Sequence, residues 1–554
     1  MPPPVDYSVY LVTDPTPAIL GPGRTVVQVV AAALAEPAQK HIGIVQLRDK
    51  DADARTMLAT LKELHEYTAL AGAPLLVNDR VDVAVAAMAR GHCEGVHLGQ
   101  DDIDVVTART MLGPEAIIGV TASNVEEAVT ACREGADYLG LGTVFATPTK
   151  TNTKHVVGTS GIQRMLQALA EAGYGHIPAV CIGGIHTSNA RRVVFQSNYR
   201  GDANSKALDG VAVVSAIMGA ADPGAAAAAL AEQVQLGKTQ GPTDFYREPS
   251  SLSSSSPTSP ATQRILQALH DTTPLSHNMT NLVVQNIAAN VALAVGASPI
   301  MSNSGAEATD LARLPGSALV INMGTVTPES LANYTKAIAA YNAAGRPVVF
   351  DPVGAGATDI RRAAVRTILA AGYLDVIKGN EGEIQTVYLS GLNEEDRAKE
   401  TVATQQRGVD GSNTLDADAR RRLVRRLAAR EKCVVVLTGA VDYVSDSRGE
   451  RVTEVADGHP MLGQVTGTGC SLGTVISAAV SAAATLRGES DDGTSQGIDT
   501  YSAVLAGMAL YERAAARAAV LPSVKGPGTF VPAFLDELAQ CRRAAAADDM
   551  TWLE

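Results

Sequence analysis

Two parts of this 554-residue chain concentrate side chains that can do chemistry. The first is a series of cations, carboxylates and amides. Gln46, Arg48 and Lys50 come first, then Asn78 and Asp79, then Gln100, Asp101 and Asp102, and then Thr121. Thr147, Thr149 and Lys150 follow, and then Gly183, Gly184, Val214 and Ser215. Arg48, Lys50 and Lys150 suit phosphate oxygens, and Asp79 with Asp102 suits a Mg²⁺ ion whose shell water completes. Gly183-Gly184 and Val214-Ser215 offer backbone N–H groups to a second phosphate. Cations, a metal and two phosphate positions, with no obvious nucleophile, predict departure of pyrophosphate rather than hydrolysis. Each residue alone reads equally well as a turn residue, and His97 equally as a core or a catalytic histidine.

The second part is VTGTGCSLG, residues 465–473, which runs into a small-residue stretch with helical character. Gly467 and Gly469 let the backbone bend, and the helix that follows aims its free N–H groups and positive dipole end at the turn. That predicts an anion hole for a transferring phosphoryl group. It is not a Walker A loop, because the GK[ST] ending is absent. Cys470 falls at the helix start, where a positive setting lowers the thiol pKa from ~8.5 and makes the thiolate a general base. The same stretch also suits a small buried cysteine that packs the turn. Zinc binding is disfavoured, since no His or Cys neighbours it.

The elements that must position these residues follow two rhythms. From YSVYLVTD to GVAVVSAI, eight short β-branched runs alternate with helix-patterned stretches. This predicts an N-terminal (β/α)8 TIM barrel over residues 1–238, and the polar series above falls at the carboxyl ends of its strands. A Ser/Pro-rich tract predicts a flexible linker over 239–261. Beyond it, an Asn-rich loop and helix precede ALVINMGTV, RPVVFDPVGAGAT, LDVIKGNEGEI, CVVVLTGAVDYV and RVTEVAD. Those runs predict an α/β domain with a mostly parallel sheet over 262–554, binding its ligands outside the strand carboxyl ends. Residues 394–416 read as a polar surface insertion.

The formal net charge of -13 disfavours nucleic acid and anionic membrane as partners and leaves small-molecule substrates. The cluster Arg420, Arg421, Arg422, Arg425 and Arg426 interleaves with Leu423, Val424 and Leu427 at helical spacing, which predicts a solvated helix face. Six scattered cysteines without a CxxC pair predict a reducing, cytoplasmic setting. The N-terminus has no signal-peptide pattern, and no uninterrupted apolar run reaches ~18 residues, so a transmembrane helix is not expected.

In order along the first half, QLRDK, VND, GVHLGQDD, GVTAS, TPTK, CIGGI and VVSAI resemble thiamine phosphate synthase across about residues 7–220. The resemblance implies that Gln46, Arg48, Lys50, Asn78, Thr121 and Lys150 hold an aminopyrimidine diphosphate. It implies Mg²⁺ at Asp79 and Asp102, and thiazole phosphate at Thr147, Thr149, Gly184, Val214 and Ser215. The mechanism it implies is loss of pyrophosphate to leave a pyrimidine methyl cation, which the thiazole nitrogen captures. Thr121 stands where many members have Ser, which keeps the hydroxyl, and residues 198–209 lengthen the connection into the last strand.

In the second half, NEGE, LTG and the glycine turn resemble the ribokinase-like superfamily. HNMTN, GASPIM, DPVGAGAT and VTGTGCSLG narrow the resemblance to hydroxyethylthiazole kinase over about residues 262–540, and away from the pyrimidine kinase that is the alternative. This implies Met301 and Gly467 on the thiazole, Lys378 and Thr438 on ATP, and Cys470 as proton acceptor. Asp351 and Glu383 are the candidates for the Mg²⁺ environment. The family's habit of placing its pocket between subunits implies a homo-oligomer, a trimer or a multiple of three. Together the halves resemble the fungal-type bifunctional thiamine biosynthesis family. The contrary reading, a sensor with one inactive half, is disfavoured because both halves keep their catalytic residue types.

Overall fold

The computed structural model describes residues 5–35, 41–145, 156–200, 204–239, 259–392, 415–489 and 498–553. The chain divides into two compact units, Met1–Tyr246 and Arg247–Glu554. Most of the expected linker lies outside the described residues, as do Thr147, Thr149, Lys150 and nearly all of the 394–416 insertion.

In the first unit the strands are β1 (Val9–Val12), β2 (Ile44–Leu47), β3 (Leu75–Asn78), β4 (Gly95–Leu98), β5 (Ile117–Ala122), β6 (Tyr138–Gly142), β7 (Ala179–Ile182) and β8 (Gly210–Val213). They form a closed barrel in the order β1-β8-β7-β6-β5-β4-β3-β2. Alternation along each strand divides the side chains between two cores. Val9 and Leu11 join the outer core with helix residues such as Val30, Leu61 and Leu64. Tyr10, Ile44, Leu76, Tyr138 and Val180 pack together inside the barrel. Asp53, Asp104 and Asn124 accept hydrogen bonds from the third backbone N–H of the helices they begin, so each loop leaving the strand ends turns at once into a helix. The lengthened 198–209 connection contains the antiparallel pair Tyr199–Arg200 and Ser205–Lys206. Lys206 Nζ donates to the carbonyls of Gly175 and Ile177, which precede β7, so the pair is anchored at the barrel end opposite the strand carboxyl termini.

The second unit has β9 (Leu275–Met279), β10 (Ser298–Ile300), β11 (Ser317–Asn322), β12 (Val348–Asp351), β13 (Val376–Asn380), β14 (Val434–Thr438), β15 (Asp442–Ser445) and β16 (Val452–Val455). Their order is β10-β9-β11-β12-β13-β14-β15-β16, parallel up to β14 and antiparallel for the last two pairings. Two expectations are corrected. The Asn-rich loop contains strand β9, and CVVVLTGAVDYV is a two-strand hairpin rather than one strand. Strand β9 looks too polar to be buried because its hydroxyls and amides bond across to a helix. Ser276 Oγ is 2.7 Å from Ser477 Oγ, and Thr474 Oγ1 donates to Asn278 Oδ1 at 2.7 Å. That helix, Thr468–Glu489, contains the one stretch among the described residues long and apolar enough to cross a membrane. It is mostly buried inside the unit, against the sheet and the helices Pro260–Thr272 and Thr500–Ala519.

Candidate active sites

At the carboxyl end of the barrel, β1 to β5 bring together residues that lie far apart in sequence. Arg48 follows β2, and its Nη1 meets Asp14 Oδ2 at 2.9 Å. Asp14 follows β1 and is held by the Thr16 backbone N–H, while the Arg48 N–H donates to Thr13 Oγ1. The guanidinium is therefore aimed by buried partners rather than swinging freely. Gln46, buried on β2, donates from Nε2 to Tyr10 Oη at 2.6 Å. Thr121 Oγ1 lies 2.8 Å from His97 Nε2, and Gln100 Nε2 donates to the Thr121 carbonyl.

Asp79 takes a left-handed backbone with φ 66°, unusual for a non-glycine residue, which turns it back toward β4. Its carboxyl is raised from the ordinary range by burial and by a hydrogen-bonded contact with Asp102, with Lys50 and Arg80 opposing. Asp102 Oδ2 also accepts from the Gly99 N–H at 2.6 Å. Two carboxylates this close repel one another unless a proton or a cation lies between them. The pair therefore suits a divalent cation held by two carboxylates, substrate phosphate and water. Among the described residues, no group of three or more His, Cys, Asp or Glu converges as a metal cluster.

The last two barrel loops contribute backbone. Gly183 and Gly184 have φ of 96° and 68°, and a Cβ on Gly183 would lie 2.3 Å from Thr143 Cγ2, so that turn requires glycine. Ser215 is exposed at the start of the short helix Ser215–Met218, with Val214 preceding it.

In the second unit the site forms where β11, β12 and β13 end beside the glycine turn. Register pairs Asn322 with Asp351 across the β11–β12 ladder. Lys378 is buried on β13, with Nζ 3.2 Å from Asp351 Oδ2 and donating to the Gly469 carbonyl at 2.8 Å. Asn322 Nδ2 donates to Asp351 Oδ2, and its Oδ1 accepts from Asn281 Nδ2 and the Gly324 N–H. Asp351 Oδ1 is buried with no hydrogen-bond partner, a donor oxygen left for a cation. Glu383 accepts the N–H groups of Gly354 and Asn380, and burial followed by Asp351 pushes its pKa up to about 7.

Cys470 is the third residue of the helix Thr468–Glu489, half-buried above Lys378. The expected lowering of its pKa is corrected. Burial and the nearby Asp351 push the thiol up to about 11, outweighing Lys378 and a hydrogen bond with Asn322. The helix dipole acts at this position, but desolvation of a thiolate beside a carboxylate is larger. Gly467 has φ 89°, and a Cβ there would come within 2.9 Å of Ile287 and 3.0 Å of Val284.

Met301 follows β10, and the adjacent Ser302 carbonyl lies 3.0 Å from buried His277 Nε2, which fixes that loop. Thr438 ends β14 at the turn where Asp442 Oδ1 accepts from the Gly439 N–H. Asp442 faces Glu512, and burial pushes the two carboxyls to about 6 and about 9, so Glu512 keeps its proton at neutral pH.

Sequence reasoning did not single out Asp14, Tyr10, Tyr138 or Asn322. Asp14 and Asn322 could have been found from their place at a strand's carboxyl end. Tyr10 and Tyr138 carried no such signal, because a strand tyrosine reads as core.

Comparison with known proteins matches residues 9–217 to the thiamine monophosphate synthase family and residues 266–543 to the hydroxyethylthiazole kinase family. The chain is 36% identical to the "Probable thiamine biosynthetic bifunctional enzyme" of Schizosaccharomyces pombe, over 99% of this chain and 98% of that one. It is 34% identical to the thiamine biosynthetic bifunctional enzyme of Saccharomyces cerevisiae, over 97% of this chain and 95% of that one. The hydroxyethylthiazole kinase of Moorella thermoacetica is 41% identical over 49% of this chain and 90% of its own.

Proposed function

The chain belongs to the family of thiamine biosynthetic bifunctional enzymes, a thiamine-phosphate synthase joined to a hydroxyethylthiazole kinase, and we propose that the two sites above carry its two reactions. The kinase reaction transfers the γ-phosphoryl of ATP to the hydroxyl of 4-methyl-5-(2-hydroxyethyl)thiazole. The synthase reaction joins the resulting phosphate to 4-amino-2-methyl-5-(diphosphomethyl)pyrimidine, giving thiamine phosphate and pyrophosphate.

In the kinase site Cys470 accepts the hydroxyl proton as the oxygen bonds to phosphorus and ADP leaves. The first N–H groups of the helix Thr468–Glu489 face the phosphoryl charge. Met301 and Gly467 hold the thiazole, and Thr438 and Lys378 serve the ATP side. Lys378 also holds the Gly469 carbonyl, which supports the turn bearing Cys470. Asp351, through its unpartnered Oδ1, and Glu383 would hold Mg²⁺, which supplies neutralisation of phosphate charge when bound.

In the synthase site Gln46, Arg48, Lys50, Asn78, Thr121 and Lys150 hold the pyrimidine diphosphate, and Asp79 with Asp102 would hold Mg²⁺, which supplies neutralisation of the departing diphosphate's charge when bound. Thr147, Thr149, Gly184, Val214 and Ser215 hold the thiazole phosphate. The C–O bond to diphosphate breaks, and the thiazole nitrogen bonds to the freed methylene. The residues contribute position and electrostatics rather than a covalent intermediate.

The observation that carries this assignment is the carboxyl pair Asp79/Asp102 near Lys50 on the barrel rim that also bears Arg48, with a thiol near a buried lysine in the second unit. Asp79→Ala is expected to abolish most thiamine phosphate formation at limiting Mg²⁺ and leave thiazole phosphorylation intact, read by mass spectrometry of products. Full synthase rate in that variant removes Asp79 from the metal site.

The same reading makes the protein a cytoplasmic homo-oligomer, a trimer or a multiple of three through the kinase unit. Six unpaired cysteines support the reducing compartment. Leu282 and Val283, 81% and 72% exposed next to Val284 at the Gly467 turn, support a subunit contact at the thiazole pocket.

A further inference from the structure

A continuous line of side-chain hydrogen bonds crosses the barrel interior beneath the synthase site. Gln46 Nε2 donates to Tyr10 Oη at 2.6 Å. Tyr10 Oη lies 2.8 Å from Tyr138 Oη, and Tyr138 Oη lies 2.8 Å from His97 Nδ1. His97 Nε2 lies 2.8 Å from Thr121 Oγ1. The two ends of the line, Gln46 on β2 and Thr121 on β5, are both residues assigned above to the pyrimidine diphosphate. The three between them, Tyr10, His97 and Tyr138, have no role in that assignment.

Neighbouring residues are shaped to make room for this line. Gly119 pairs with Tyr138 across the β5–β6 ladder, and a Cβ on Gly119 would fall 2.0 Å from the Tyr138 ring. A Cβ on Gly140 would come within 3.2 Å of His97 Cε1. Two glycines thus surrender space that a large polar ring fills, inside a barrel whose interior ordinarily takes branched aliphatic side chains. Both phenols are fully buried and hydrogen-bonded.

Donors and acceptors along the line run in one direction. The Gln46 amide gives a proton to Tyr10, so the Tyr10 proton goes to Tyr138, and the Tyr138 proton to Nδ1 of His97. The ring proton of His97 is left on Nε2 and points at Thr121 Oγ1. Burial raises both phenols far above their ordinary pKa, so each retains the proton it must pass along. At the ends, Gln46 keeps its carbonyl oxygen as an acceptor, held in place by the bond from Nε2 and with one further N–H beside it, and Thr121 keeps its hydroxyl proton as a donor.

We propose that Tyr10, Tyr138 and His97 are positioning residues for the synthase reaction: they fix Gln46 as acceptor and Thr121 as donor toward the aminopyrimidine. An aminopyrimidine carries both complements, an exocyclic amine that donates and ring nitrogens that accept. Fixing the polarity of both ends in advance removes the reorientation that two free rotors would undergo when substrate binds. The inference rests on the assignment of Gln46 and Thr121 to the pyrimidine diphosphate.

The test is a double-mutant cycle between Tyr138→Phe and Thr121→Val in the full chain, with Tyr10→Phe as a second break in the line. Each tyrosine variant keeps its ring and loses only the hydroxyl. We expect either one to lower synthase kcat/KM for the pyrimidine diphosphate by roughly 5- to 50-fold, in the range for a lost buried hydrogen bond. The KM for thiazole phosphate and the kinase rate of the same protein should not change. Tyr138→Phe/Thr121→Val should lose clearly less than the product of the two single losses, because part of the tyrosine's effect runs through the threonine and only the part through Gln46 remains. Multiplying effects, or an unchanged rate in both tyrosine variants while Thr121→Val is impaired, overturns the inference. If Thr121→Val itself leaves the synthase unchanged, the assignment of Thr121 fails first and the inference with it.

Discussion

The raised pKa of Cys470 makes a quantitative demand on the kinase half-reaction. A thiol titrating at about 11 is ionised to only about one part in 10⁴ at pH 7. If Cys470 takes the hydroxyl proton as thiolate, the rate of phosphoryl transfer should climb about tenfold per pH unit from pH 7 to pH 9. The climb should slow only as the pH nears the thiol's own value. The sign follows from the cause, since burial and Asp351 favour the neutral thiol and higher pH produces the base. Cys470→Ala should lose roughly 10²–10⁴-fold in rate and also lose the slope. Cys470→Asp should retain part of the rate with a flatter profile, because a carboxylate ionises at lower pH. The assay is single-turnover rapid quench with labelled ATP and saturating thiazole alcohol, which isolates the chemical step from product release. A wild-type profile that stays flat from pH 7 to 9, or an alanine variant within threefold of wild type, would refute the thiolate mechanism. Cys470 would then be a packing residue of the turn.

Two further outcomes are expected. Gly467→Ala, strained by its φ of 89° and driven against Ile287 and Val284, should raise the KM for the thiazole alcohol at least tenfold. Steady-state kinetics of both reactions checks this, since the synthase rate should be unaffected. Glu512→Gln should stabilise the second unit increasingly as pH rises from 5 to 8. The folded state keeps a proton on Glu512 up to about pH 9 that the unfolded chain releases above about 4.5, so the wild type loses stability across that window. Calorimetry of the two proteins at pH 5 and pH 8 reads the difference, and an equal melting-point gap at both pH values counts against it.

Much of this protein was legible in one dimension. Eight β-branched runs spaced by helix patterns specify a closed parallel barrel, because period-2 strands and period-3.6 helices can satisfy one another in few other ways. The polar residues at the end of each run mark the rim, because alternation leaves a strand's last residues where the core stops. Arg48, Asp79 and Asp102 could be found from such positions and Cys470 from the glycine turn before a helix, whereas Lys378 followed only from the family resemblance. Sequence patterning misjudged β9, since polarity is read residue by residue, whereas Ser276 and Asn278 are satisfied by a helix some 200 residues away.

Other features were decided only by the tertiary structure. Helix starts lower thiol pKa values as a class, but whether Cys470 follows depends on how much water reaches it and where Asp351 stands, and neither is a local property. The line from Gln46 to Thr121 is likewise invisible in sequence. Its five members lie on β1, β2, β4, β5 and β6, and only barrel closure brings their polar atoms within hydrogen-bond reach. Residue types and spacing determine which elements form and which face each side chain takes. Desolvation, charge proximity and hydrogen-bond direction depend on distances between strands, and those exist only once the chain has folded.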